Sequence, residues 1–147
     1  MKRLIPKYRT PIFPNSIHEL QDKTLLWIDE LQFIQKEQFF FNSLMEECIM
    51  EHCSLSNWKQ AKLLLSSIQN ETELATKLLI RLKNHKMNLG LLLQHIYTKR
   101  EDQFRDTHRF INNEFKNYVE NYRCLKDQLF TLVLSELNRN NSIIINE

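Results

Sequence analysis

The sequence predicts an all-α fold, an elongated antiparallel up-down-up three-helix bundle with coiled-coil-like seams and an extended N-terminal arm. Three observations predict it. Only one of the 147 residues is glycine and only three are proline, too few for the tight turns that many short strands require. All three prolines fall within the first 14 residues, so nothing later breaks a helix by that route. Apolar residues then recur at a 3.5-residue spacing through three long stretches, which lines one face of each helix along a seam.

The first 15 residues form the arm. Pro6, Pro11 and Pro14 each fix φ and push the preceding residue out of the helical region. Lys2, Arg3, Lys7 and Arg9 bring +4 to this end with no acid before Glu19, whereas residues 19–147 sum to −2. The pattern reads as a solvated basic terminus. As a functional element it would contact an anionic partner, nucleic acid included, or an acidic patch of its own body. Ser16, with Glu19 three residues on, has the capping-box spacing that starts a helix.

Three helices are expected, over about 16–52, 57–97 and 102–138. In the first, Leu20, Thr24, Trp27, Leu31, Ile34, Gln38, Phe41, Met45 and Cys48 alternate steps of four and three. In the second, Ala61, Ile68, Ala75, Leu82, Leu89 and Ile96 repeat every seven, with Leu65, Leu79 and Leu93 between them. In the third, Phe104, His108, Ile111, Phe115, Tyr118, Tyr122, Leu125, Leu129 and Leu132 keep the rhythm. Ser54, Ser56 and Asn57 mark the first break, because their side chains compete for backbone groups. The second break lies either at Lys83–Gly90, which holds the only glycine, or at Thr98–Asp102; equal helix lengths favour the later one. Residues 139–147 read as a frayed tail that carries Ile143, Ile144 and Ile145. The whole chain is expected to be one domain.

Tyr8-Arg9-Thr10-Pro11, followed by Trp27-x-x-Glu30-Leu31-x-Phe33, resembles the opening third of a set of short, uncharacterised bacterial helical proteins. The resemblance implies a bacterial, cytosolic, all-helical protein and carries no site residues with it. Cys48, Cys53 and Cys124 are odd in number and lack CxxC spacing, which fits free thiols in the cytoplasm. No apolar run exceeds Leu25–Ile28, far short of the ~18–20 residues a membrane span needs.

Chemistry-bearing patterns are sparse. Neither GxGxxG nor a P-loop is possible with one glycine, and no triad, nucleophile elbow or metalloprotease motif occurs. A non-enzymatic protein is expected, with no cofactor and no evident small-molecule substrate. Folded as above, the chain would bring His18, His95 and His108 to one end with Asp22 nearby, a candidate divalent-metal set. The alternative for these histidines is a surface position near a helical turn. Phe115, Tyr118 and Tyr122 read as core rather than as a base-stacking platform.

The stronger candidate is an interaction surface. Leu26, Phe33 and Phe40 repeat every seven residues on a face distinct from the Trp27–Cys48 seam, which leaves the first helix apolar on two sides. Either the arm and tail cover this second side, or it meets a protein partner or a second copy of the chain.

Overall fold

In the structure, a computed structural model, residues 16–51, 54–94 and 101–146 are described, with side chains described as far as Arg139. They form three helices, α1 (Ile17–Met50), α2 (Leu55–Leu93) and α3 (Glu101–Asn146), with no strand among them. The all-α three-helix bundle is the fold that the spacing predicts. The arm, His52, Cys53 and residues 95–100 lie outside the described residues.

Each helix starts on local chemistry legible in the sequence. The Glu19 amide donates to Ser16 Oγ at 3.0 Å, and Ser16 Oγ donates to the Glu19 carboxylate at 2.9 Å, which satisfies one of the first-turn donors. At the start of α2 the Asn57 amide donates to Ser54 Oγ at 3.3 Å. Helix α2 runs straight through Lys83–Gly90 to Leu93, so the earlier of the two candidate breaks is not used. Helix α3 continues to Asn146 rather than fraying from residue 139. Nothing in Asn138–Asn146 is a proline or glycine, so no residue there forces an end.

The chain divides into two compact units, and each helix contributes to both. The first unit combines residues 1–32 with 77–116; the second combines 33–76 with 117–147. In the first, Ile17, Leu20, Leu89 and Phe104 form a buried cluster, with Leu92 and Leu93 packed on it. Further along, Trp27 stacks on both His108 and Phe115. Residue numbers thus rise together in α1 and α3 and fall in α2, which makes α2 antiparallel to the other two. The second unit repeats this order: Gln38 meets Tyr118, Phe41 meets Phe130, and Asn57 meets Ser135.

Burial follows the predicted seams on α1 and α3. Leu20 through Met45 and Phe104 through Leu132 are buried at every predicted step, while Cys48 is half-buried. On α2 one predicted line shifts. Leu65 and Leu79 are only half-buried, as is Leu93, and the line that turns inward is Leu64, Leu78 and His85. The main line Ala61, Ile68, Ala75, Leu82 and Leu89 stands as predicted. A helix can fill the place beside each such residue from three or four positions away. The leucines favoured the wrong step, and the true step places an imidazole in the core.

Candidate functional site

The outer face of α1 is the expected interaction surface, and the helix presents it to solvent. Leu26, Phe33 and Phe40 are 63%, 61% and 57% exposed, whereas Phe41, one position on, is buried. Charged residues border the ridge one turn away: Asp22, Lys23, Asp29, Glu30, Lys36 and Glu37. Across α1 as a whole, seven carboxylates stand against Lys23 and Lys36, a balance of −5.

In the second unit, α3 adds apolar surface that the seam reading passed over. Phe130, Leu134 and Leu137 are about half exposed, and Phe130 packs edge-on against Phe41 at 5.2 Å. A cleft of about 300 Å³ opens here between Leu44 and Cys48 of α1 and Leu132, Val133 and Leu137 of α3. Glu136 closes one side, held by Arg139 and by the Asn57 side-chain Nδ2. Burial works against its charge, yet these hydrogen bonds keep its carboxyl below the usual carboxylate range. Phe130 and Leu134 are a clue available in the sequence, since they lie off the α3 seam and four residues apart.

Beneath this surface a polar relay crosses the second unit. The Gln38 amide donates to the Tyr118 hydroxyl at 2.6 Å, and that hydroxyl donates to the Glu71 backbone carbonyl at 2.8 Å. Three helices are thereby joined through one buried phenol. Burial pushes the Tyr118 hydroxyl up to about 12, against the lowering effect of Gln38. Nearby, Tyr122 donates to Glu37 at 3.3 Å and Lys126 donates to the same carboxylate at 3.2 Å. As predicted, Phe115, Tyr118 and Tyr122 are core residues.

The candidate metal set can be placed only in part. His18 and Asp22 are exposed on α1, His95 lies outside the described residues, and His108 is fully buried. The last lies on the α3 seam, which directs it into the first unit's core. Its neighbour there is His85, which the sequence reading did not single out: His85 Nε2 and His108 Nδ1 are 3.0 Å apart. The His108 ring stacks on Trp27 at 4.7 Å with the planes 27° apart. Burial lowers both imidazoles to about 4, and His85, Lys23 and Arg105 press His108 the same way. This cationic setting disfavours a divalent ion. Among the described residues no group of three or more His, Cys, Asp or Glu side chains is placed to hold one.

Lys2, Arg3, Lys7 and Arg9 lie outside the described residues. Cys124 is an exposed free thiol. Among the described residues no helix is long and apolar enough to cross a membrane. Comparison with family models, with curated proteins and with solved structures finds no match to this chain.

Proposed function

We propose that the protein is a non-enzymatic interaction module of the cytoplasm whose working surface is the outer face of α1. One observation carries this reading. With α1 already packed in the bundle, Leu26, Phe33 and Phe40 keep more than half of their surface exposed. Each such side chain would contribute about 1.5–3 kcal/mol if fully buried, so a line of three is an unspent driving force for association. The −5 balance of α1 selects among partners: a segment that offers apolar side chains between lysines and arginines complements both the ridge and its rim. The chain's own Lys2–Arg9 stretch has that composition.

The test is the paired substitution Phe33→Glu and Phe40→Glu in the full chain. Partner capture, or self-association read by solution mass, is expected to fall by tenfold or more while helicity and thermal midpoint stay near those of the parent. A parent protein that runs as a monomer and captures nothing the double variant loses would refute the reading.

A further inference from the structure

The first unit buries two imidazoles against each other, a use of histidine that an interaction module does not need. His85 is 2% exposed and His108 0%, and the 3.0 Å contact between their ring nitrogens is a hydrogen bond only if one ring donates and the other accepts. A doubly protonated pair presents two N–H groups to each other and loses the bond. We propose that the His85–His108 pair is an acid-operated latch: protonation separates the seam of the first unit, formed by 17–32, 78–93 and 104–116, while the second unit keeps its core.

The surroundings of the pair point the same way from each packed helix. Lys23 on α1 and Arg105 on α3 act on His108 and are both cationic. Arg105 is engaged with Glu101 at 3.1 Å, and on α2 Arg81 is engaged with Glu114 of α3. The indole face of Trp27 covers His108, and His85 Nδ1 is buried with no hydrogen-bond partner among the described residues. An imidazolium there gives up its water and meets positive neighbours.

The direction of the pH dependence follows. Both rings lie near 4 in the packed state against an ordinary value of 6.5, so the open state binds more protons throughout that interval. Packing of the first unit is fully favoured above about pH 6.5, is lost progressively as pH falls, and loses nothing further from this source below about 4. Within the window, opening grows by up to about tenfold per pH unit for each ring. The second unit has no buried imidazole among its described residues. Its central relay joins an amide, a phenol and a backbone carbonyl, none of which gains charge in mild acid.

Two measurements on the intact chain test the latch. Proton resonances of the imidazole rings, followed from pH 8 to pH 4, should show His85 and His108 staying neutral until the first unit opens. Hydrogen exchange, corrected for its intrinsic pH dependence, should show opening of 17–32, 78–93 and 104–116 rising at least tenfold between pH 6 and pH 4.5. Segments 34–50, 55–76 and 117–139 should lag behind. Titration of either buried ring near 6.5 with the core intact, or both units opening together, would overturn the proposal. The variant His85→Leu with His108→Phe, which keeps an aromatic ring on Trp27, should delay opening to lower pH; an unchanged onset would also overturn it. Should that variant fail to fold, the two wild-type measurements still decide. Neither outcome bears on the α1 surface, which Phe33→Glu and Phe40→Glu test separately.

Discussion

The hydroxyl of Tyr118 sits 2.6 Å from the Gln38 amide and bridges it to a carbonyl of a third helix. Gln38 Oε1 is buried without a hydrogen-bond partner, so the tyrosine is the amide's single buried contact among the described residues. Tyr118→Phe removes the hydroxyl and strands the amide, while the Glu71 carbonyl keeps its helical hydrogen bond. Denaturant unfolding should show a loss of about 1–3 kcal/mol. Tyr118→Phe combined with Gln38→Leu should recover much of it, because no amide is then left stranded.

Phe40 and Phe41 are adjacent in sequence and opposite in consequence. Phe41 is 2% exposed and touches Phe130, so Phe41→Ala should cost about 3–5 kcal/mol. Phe40→Ala removes a ring that is largely in solvent and should change stability by no more than about 0.5 kcal/mol. Urea midpoints of the two variants check both values, and a large cost for Phe40→Ala would mean that the ring is covered in solution.

Gly90 lies inside α2, where backbone freedom is a cost without a benefit. A Cβ built there meets Gln21 Nε2 at 3.4 Å, an ordinary contact with the movable end of a side chain. Gly90→Ala should therefore stabilise the protein by about 0.5–1 kcal/mol, visible as a rise in thermal midpoint.

Glu71 is half-buried, and burial raises its carboxyl above the ordinary range. The folded protein thus holds the proton more firmly than the unfolded chain, and ionisation of Glu71 opposes folding at neutral pH. Glu71→Gln should be more stable than the parent at pH 7, with the difference shrinking as pH falls and the parent carboxyl becomes neutral. Chemical unfolding at pH 7 and at pH 4 measures the change.

Fold class and most of the core were legible because the signal is repeated. Nine seam positions on α3 agree on one face, and no single residue decides the outcome. The α2 seam was harder because leucines at 65, 79 and 93 outcompete the line that carries Glu71 and His85 when only hydrophobicity is weighed. Packing chose otherwise, since the inward step brings Leu64 and Leu78 into the core and lets His85 meet His108. Their pairing was invisible for the same reason: His108 lies on its seam, but His85 looks like a surface residue until His108 is opposite it. The exposed ridge of α1 was legible because three apolar residues at heptad spacing off the seam have no place inside. The contribution of Phe130 and Leu134 was legible only as a pair four residues apart off the α3 seam, a weaker signal than a heptad line of three.

Stacking of His108 on Trp27 gives the molecule its own optical reporter. An imidazolium quenches indole emission more strongly than a neutral imidazole, and the second tryptophan, Trp58, sits in a different setting beneath Lys62 Nζ at 4.4 Å. With Trp58→Phe, a single emitter remains, seated against the ring whose charge is in question. Light from one side chain then reports the opening of the first unit in real time, without labels.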